Sequence, residues 1–483
     1  MKTKADLVAW LDRNAAPFIE LADAIWQAPE VAWHEFASSK LQADLLEEHG
    51  FRVAWDSGGV STAFVAEWGE GGPIVGVLGE YDALAGLSQK LQPEQEPLVE
   101  GAPGHGCGHN LLGTGGVATA VAVRHWLEES GTTGTIRYYG CPAEEQLSGK
   151  TFMARDGAFD DLDAALNFHP DKLNHPSKGS AVGVYDLVFR FHGRTAHAGG
   201  SPHLGRSALD AVELMNVGAN YLREHVREKV RIHYVITDGG RLPNVVPETA
   251  EVWYFVRAHE RDELESVVDR LGKIAEGAAL MTETTFTRTF RGACSNVLNN
   301  HVLADAQYEN LKEIGPIEFS QEEVDYAARV NSAFPDEDAR TVFDSFRVPP
   351  EWRERVDGVR GEPLVGENYP AWDEDHIGTG STDVGDVSWI APLSMLRTAC
   401  FATAAPGHSW AIVATAGVSV GHKGMMHAAK TMAATAHDLY TDPDLLAAAR
   451  AEHARATDGR PYRCPIPNEV PAPRVANPVR GVE

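Results

Sequence analysis

Cysteine and positive charge are both scarce in this sequence of 483 residues. Its five cysteines are Cys107, Cys141, Cys294, Cys400 and Cys464, too few and too widely spaced for a disulfide-stapled secreted domain. Lysine and arginine number 42 against 69 acidic residues, so the formal net charge is -27. This excess of negative charge argues against nucleic acid as a partner. An anionic substrate would need a local basic pocket.

Long hydrophobic runs and internal repeats are also absent. No uninterrupted apolar stretch reaches the roughly 20 residues that cross a bilayer. Residues 5–27 have apolar positions at helical spacing and carry acids, so we expect a helix there and not a secretory signal. The hydrophobic share of 43% and the charged share of 23% are typical of globular proteins. We therefore expect a cytoplasmic protein of two or more domains with no membrane partner.

A glycine-rich segment, GHGCGHNLLGTGG at residues 104–116, contains the first candidate metal ligands. Cys107 and His109 lie two residues apart, and in an extended loop such side chains point to the same side. Glycines let a backbone close tightly around an ion, and a helix is predicted to follow at residues 111–127. A glycine turn with a buried cysteine explains this segment equally well. The rest of the chain has to decide between the two interpretations.

Further polar side chains stand at the ends of predicted strands. An apolar strand at residues 73–82 ends in Glu80 and Asp82, and another at residues 164–169 ends in His169. Open α/β sheets place their active sites at the carboxyl ends of such strands. A capping acid and a structural histidine are the alternative explanations when each site is considered alone.

A pair of adjacent carboxylates follows the predicted strand at residues 135–141. The pair is Glu144 and Glu145 in the sequence PAEE. Neighbouring carboxylates are costly to ionise together unless a metal ion or a proton separates their charges. One of them could bind an ion while the other activates water, the division that metal-assisted hydrolysis requires. A solvated acidic pair is the alternative.

The middle of the chain predicts a second kind of unit. Residues 182–294 read strand, helix, strand, strand, helix, strand, a ferredoxin-like α+β pattern. We expect irregular covering structure at 302–374 apart from a helix at 321–331, then strands near 387–390 and 400–404. The domains expected from these patterns are a catalytic domain in two parts, 1–184 and 299–483 with a C-terminal tail, and an inserted domain at 185–298.

Six stretches together resemble the M20 metallopeptidase and amidohydrolase family, in its aminoacylase-like branch with a Cys-Gly-His loop. They are GHGCGHNLLGTG, PAEE, HAGGSPHLGRSALDAVELMNVGANYLREH, LPNVVP, GSTDVGDVSW, and GHSW followed by HKGM. The resemblance covers nearly the whole chain. It implies an α/β fold: a zinc-exopeptidase-like catalytic domain with a mixed sheet, and an inserted ferredoxin-like lid that also serves for dimerisation.

The resemblance also implies roles for individual residues. Glu144 takes the position of the general base, and Asp82 would orient a ligand from outside the metal shell. Many relatives have Asp in place of Glu80. The residues implied as ligands of two divalent ions per subunit, Zn²⁺ or Mn²⁺, are Cys107, His109, Glu145, His169 and His408. His422 is the alternative to His408, which we favour because it follows a strand and a turn of small residues.

Three residues of the inserted unit complete the implied site. His197, in GRTAHAGG, resembles the family's donor to the tetrahedral oxyanion. Asn244 and Arg257 would bind the carboxylate of the released amino acid, for which an arginine offers a planar two-point contact. In related enzymes the histidine serves the neighbouring subunit, so the resemblance implies a homodimer through the inserted domain. An ion pair with a nearby acid is the alternative for Arg257.

The activity implied is metal-dependent hydrolysis of the amide bond of an N-acyl or N-aroyl amino acid. The substrate would be a small molecule with a free carboxylate. A dipeptidase or carboxypeptidase on the same scaffold is one alternative, although no acidic receptor for a free α-amine is evident in the sequence. A metal-poor partner subunit of a hetero-oligomer is the other.

Overall fold

Two large β-sheets and a two-stranded one, formed by Ser180–Ala181 and Ile377–Gly378, organise the chain in a computed structural model that describes residues 2–475. The end of the predicted tail, residues 476–483, lies outside the described residues, as does Met1. The strands are β1 (Arg52–Trp55), β2 (Phe64–Glu70), β3 (Ile74–Glu80), β4 (Gly134–Cys141), β5 (Ala164–Asp171), β6 (His175–Ser177), β7 (Ser180–Ala181), β8 (Gly183–His192), β9 (Arg231–Asp238), β10 (Thr249–Ala258), β11 (Thr285–Cys294), β12 (Ile377–Gly378) and β13 (Leu393–Ala399).

The larger sheet has seven strands in the order β1-β2-β4-β3-β5-β13-β6. Its four inner strands, β4, β3, β5 and β13, run parallel, while the outer pairings are antiparallel. The sequence of β3, IVGVLGE, is buried along nearly its whole length, as expected of a strand covered on both faces. Because the inner strands are parallel, their carboxyl ends meet at one edge of the sheet.

Helices cover this sheet on both faces. Buried alanines in α4 and α13 let the two helices approach closely, so that the Thr119 hydroxyl lies 3.4 Å from the Ala429 carbonyl oxygen. The helices are α1 (Lys4–Arg13), α2 (Ala16–Gln27), α3 (Phe36–Glu48), α4 (His109–Ser130), α5 (Gly149–Arg155), α6 (Ala208–Leu222), α7 (Arg261–Thr282), α8 (His301–Ile314), α9 (Gln321–Asn331), α10 (Arg353–Val359), α11 (Val384–Ser388), α12 (Trp410–Ala416), α13 (Ser419–Thr441) and α14 (Pro443–Ala456).

The smaller sheet belongs to the predicted ferredoxin-like unit. Its four strands are all antiparallel, in the order β11-β8-β10-β9. Burial alternates strictly along β10 because α6 and α7 pack against one face of this sheet only. The chain therefore has the mixed α/β fold with an inserted α+β unit that its sequence predicts.

Several local predictions differ from the structure. The helix expected over residues 5–27 is broken between Arg13 and Ala16, where Pro17 occupies the first turn of α2. The strand expected at residues 387–390 is wrong, because α11 occupies this position. A short apolar run does not distinguish a buried strand from a buried helical turn.

The other differences concern the second half of the chain. No strand forms at residues 400–404, where one was expected, because the strand in this part of the chain is β13, which ends at Ala399. The irregular region expected at 302–374 begins with a regular helix, α8, whose apolar side packs against α13 and β13. No described helix is both long and apolar enough to cross a membrane.

Candidate active site

The loop before α4 brings the first candidate ligands to the edge where the parallel strands end. His109 is the first residue of α4, and Cys107 stands just before it. Gly108 between them has φ of +79°, and a Cβ there would come within 2.7 Å of the Phe401 ring. Only glycine meets both conditions without strain. The turn therefore requires glycine between Cys107 and His109.

The imidazole of His109 is held in place by the carboxylate of Asp82, two residues beyond β3. The Nδ1 atom of His109 lies 2.8 Å from Asp82 Oδ1, while Asp82 Oδ2 accepts a hydrogen bond of 2.9 Å from the backbone N–H of Glu145. One buried carboxylate therefore orients the imidazole and the loop that carries Glu145. With Nδ1 engaged, Nε2 of His109 is left to bind an ion.

The candidate ligand atoms fall into overlapping groups whose members lie within 4.8 Å of one another. Cys107 belongs to two of them, and together these two groups contain the five residues that the resemblance implies. A further group adds Glu80 and Glu144 around His109. The groups are Cys107, His109 and His169; Cys107, Glu145 and His408; and Glu80, His109 and Glu144.

Buried polar atoms that make no hydrogen bond indicate where a metal ion could bind. Within the described residues, His109 Nε2, Glu145 Oε1 and Glu80 Oε2 are buried and make no hydrogen bond, although His109 Nε2 and Glu80 Oε2 lie 3.3 Å apart. Such atoms are costly unless something binds them. The donors comprise a thiol, imidazoles and carboxylates, a set that suits Zn²⁺ and, without the thiol, Mn²⁺. The residues present therefore fit a divalent metal site.

The crowded acids perturb one another. Burial, followed by the charges of Glu80 and Glu145, raises the pKa of Glu144 well above its ordinary value. Burial also raises the pKa of Glu145 to about 7. Burial is the largest single influence on Asp82 and would raise its pKa, but the hydrogen bond and charge of His109, the Glu145 N–H and the charge of Lys150 together lower it. A divalent cation between these groups would favour their charged forms.

A buried lysine supplies positive charge to this acidic cluster. Lys150, on α5, is fully buried, and its Nζ lies 2.6 Å from Glu80 Oε1 and 2.7 Å from Asp383 Oδ1. Burial would lower the pKa of Lys150, but Asp383 and Glu80 raise it well above the ordinary value. Sequence reasoning missed Lys150, because nothing in a helix that reads GKTFMAR marks its lysine as buried.

A second buried group supports the loop that carries Glu144. Glu35, before α3, accepts hydrogen bonds from the backbone N–H of Ala143 at 2.8 Å and from the Thr62 hydroxyl at 3.0 Å. Ala143 has φ of +56°, an unfavourable conformation for alanine that this contact helps to hold. Burial raises the pKa of Glu35 to about 8. Sequence reasoning missed Glu35 as well.

A cavity of about 790 Å³ opens from this edge of the sheet. Its lining includes Cys107, Glu144, Glu145, His169 and His408, together with Arg257 from the end of β10. A space of this size holds an ordinary small-molecule substrate. The Arg257 guanidinium donates to Ser381 Oγ at 2.8 Å and has no acidic partner within 4.0 Å among the described residues. The ion pair considered as its alternative role is therefore not formed.

His197 and Asn244 do not line the cavity as the described part of the chain forms it. Both are exposed at one end of the inserted unit, where the backbone N–H of Ala198 donates to the Asn244 carbonyl oxygen. His197 Nδ1 accepts hydrogen bonds from the N–H groups of Gly199 and Gly200, at 3.1 and 2.9 Å. The neutral ring therefore carries its proton on Nε2, which is left as a hydrogen-bond donor.

The geometry favours His408 over His422 as the last candidate ligand. His408 Nε2 lies 3.6 Å from Glu145 Oε2, and the backbone of His408 is tied to Gly106 by a hydrogen bond of 3.1 Å. His422 lies in α13, with its Nε2 2.9 Å from Asp23 Oδ1. It belongs to none of the groups of possible ligands found among the described residues.

Comparison with known proteins adds to this geometry. Residues 180–282 match the model of a peptidase dimerisation domain named for the M20 family. The chain is 46% identical to one of the subunits of p-aminobenzoyl-glutamate hydrolase from Escherichia coli (strain K12), over 96% of this chain and 97% of the relative. The chain belongs to the M20 family. The family resemblance of its motifs is confirmed, and the protein is a hydrolase of this family.

Two further comparisons, one of sequence and one of structure, agree with this assignment. The chain is 29% identical to Xaa-Arg dipeptidase of Mus musculus, over 92% of this chain and 90% of that protein. A crystal structure of a dinuclear metal binding peptidase from the M20 family of Bacillus subtilis superposes with a TM-score of 0.56 at 15% identity. It covers 88% of this chain and 98% of the solved one. At that identity the superposition shows a shared fold.

Proposed function

We propose that the protein hydrolyses the amide bond of an N-acyl or N-aroyl amino acid, with p-aminobenzoyl-glutamate as the type of substrate. The observation that carries the proposal is the convergence of Cys107, His109, Glu145, His169 and His408 into two groups that share Cys107, at the wall of a cavity that Glu144 also lines. The name of the 46% identical relative supports the choice of substrate.

We assign the five converging residues as ligands of two divalent ions, zinc or manganese, with Cys107 common to both groups of donors. When bound, such ions would polarise the scissile carbonyl and make water more acidic. Glu144 removes the proton from the attacking water and delivers it to the leaving amine. His197, through its Nε2–H, donates to the developing oxyanion.

The inserted unit supplies the recognition of the released amino acid and the dimer contact. Arg257 and Asn244 bind its α-carboxylate.

We propose the division into domains at 1–184, 185–298 and 299–483, and a homodimer formed through the inserted domain. The exposed apolar side chains Leu214, Val217 and Tyr221 on α6 support this dimer, as does the outer edge of β9, with which no described strand pairs. A hetero-subunit is the alternative partner, since the relative is named as one subunit of its hydrolase. The five free cysteines support a cytoplasmic location.

A substrate panel with metal analysis tests the proposal. Purified protein, reconstituted with Zn²⁺ or Mn²⁺, should release amino acid from N-benzoyl- and p-aminobenzoyl-glutamate, and it should lose this activity on chelation. Metal content should approach two ions per chain. Cleavage of unblocked dipeptides in preference to N-acyl amino acids would replace the proposal by the dipeptidase alternative. Protein that binds no metal would support a partner-subunit role.

Arg257→Ala should raise KM for substrates with a free α-carboxylate by about 10-fold or more, because a charged hydrogen bond is lost. KM for the matching α-amides should change little. Arg190→Ala is the matched control, since Arg190 lies on the neighbouring strand β8 outside the cavity lining. Equal effects of Arg257→Ala on acids and amides would show that Arg257 has a structural role only.

A further inference from the structure

The basic side chains that line the cavity differ in whether an acid neutralises them. Arg397 Nη1 lies 2.9 Å from Asp171 Oδ2, so its charge is paired. Among the described residues, Arg257 donates to hydroxyl and carbonyl acceptors alone, Ser381 Oγ and the Thr379 backbone oxygen. Lys172, directly after β5, is the other cation of the lining.

Lys172 makes no direct contact with an acid among residues 2–475. Within the part of the chain that the structure describes, its Nζ makes no hydrogen bond and no ion pair within 4.0 Å. The oxygens of the adjacent Asp171 accept from Arg397 and, at 2.7 Å, from the backbone N–H of Lys172, so Asp171 and Asp338 act on the ammonium through their charges without contacting it. Lys172 is half-buried, and burial lowers its pKa. An unpaired ammonium in such a position is unfavourable without an anion nearby.

This arrangement is unusual in a chain with a formal net charge of -27. Lys178, six residues further on, shows the usual arrangement, with its Nζ 2.8 Å from Asp305 Oδ1. Arg257 and Lys172 line the cavity without an acid within 4.0 Å in the described range 2–475, and they come from different parts of the fold: the inserted sheet and the carboxyl edge of the large sheet. The cavity therefore offers two separate contacts for negative charge.

We propose that Lys172 binds a second carboxylate of the substrate, so that the enzyme prefers dicarboxylic N-acyl amino acids. This inference rests on the proposed function and deepens it, with Arg257 assigned to the α-carboxylate and Lys172 to the other. The second carboxylate belongs either to the side chain of the amino acid or to the acyl group. Both sources present the same anion to the ammonium of Lys172.

Matched acid and amide substrates separate these sources. One pair is N-benzoyl-glutamate and N-benzoyl-glutamine, and the other is N-succinyl-leucine and N-succinamoyl-leucine. Wild-type enzyme should prefer the acid of at least one pair in kcat/KM by about 10-fold or more, the scale of one charged hydrogen bond. Lys172→Met should abolish that preference by lowering kcat/KM for the acid substrate and not for its amide. Lys172→Arg, which keeps the charge, should retain part of it.

Control variants make the result specific to this lysine. Lys178→Met should leave the acid preference unchanged. Arg257→Ala should lower kcat/KM for substrates with a free α-carboxylate relative to their α-amides. It should not remove the preference for a second carboxylate, which depends on Lys172. Lys172→Met should fold normally, as checked by thermal unfolding, because the methionine replaces an ammonium that has no partner among the described residues.

The outcomes distinguish this inference from the proposed function. A wild type that cleaves N-acyl amino acids without any acid preference would overturn the role of Lys172 and leave the proposed function standing. An acid preference that persists in Lys172→Met would overturn it as well. If the metal-loaded wild type cleaves none of the four substrates, acids or amides, the proposed function fails, and this inference fails with it.

Discussion

Glu144→Gln is expected to lower kcat by at least ~10²-fold while the metal content stays the same, the usual scale for the loss of a general base. Glu144 lies in the group of possible ligand atoms with Glu80 and His109, but it is absent from the two groups that share Cys107. A glutamine keeps the shape of the side chain and removes its ability to accept a proton. Turnover should therefore fall much more than KM changes.

The neighbouring residue provides the matched comparison. Glu145 lies in the group with Cys107 and His408, and its Oε1 is buried without a partner among the described residues. Glu145→Gln should therefore reduce metal occupancy, measured by elemental analysis after gel filtration. The two variants differ by one position in the same loop, so a general effect on folding would appear in both. If both variants keep their metal and wild-type turnover, the assignment of this pair is wrong.

His197→Ala is expected to lower kcat by about 10² to 10³-fold, the scale measured for loss of one oxyanion donor. The side chain is exposed on the inserted unit and absent from the described lining of its own cavity, so we predict that it acts in the site of the partner subunit. His203→Ala is the matched control, because His203 is an exposed histidine of the same loop. It should keep wild-type activity.

A mixture of two inactive proteins tests the contribution across subunits. Glu144→Ala and His197→Ala chains are dissociated, mixed in equal amounts and reassociated. Random pairing makes half of the dimers mixed, and each mixed dimer regains one intact site, so roughly a quarter of all sites should recover. If His197 acted within its own chain, every site would stay defective. An absence of recovery, with subunit exchange confirmed by mass, would contradict the prediction.

Local sequence patterns were sufficient for most of the framework. The alternation in β10 and the period of α7 are properties of consecutive residues, so the βαββαβ order of the inserted unit could be predicted. The fold class followed from such segments and from the family resemblance. The missed elements are those in which local preference is weak. The apolar turn of α11 and the broken helix before α2 depend on packing that a short window does not contain.

Constraints between neighbouring residues were enough to predict which chemistry the chain offers. The turn at Gly108 allows Cys107 and His109 to serve one site, and PAEE places two carboxylates at a strand end, because these constraints act between neighbours in the chain. Only the tertiary structure decided how the charges pair. Lys150 and Asp383 are 233 positions apart, and Arg397 and Asp171 are 226 apart. Whether a lysine is neutralised, as Lys150 is, or left without a partner among the described residues, as Lys172 is, depends on which distant acids the fold brings within reach.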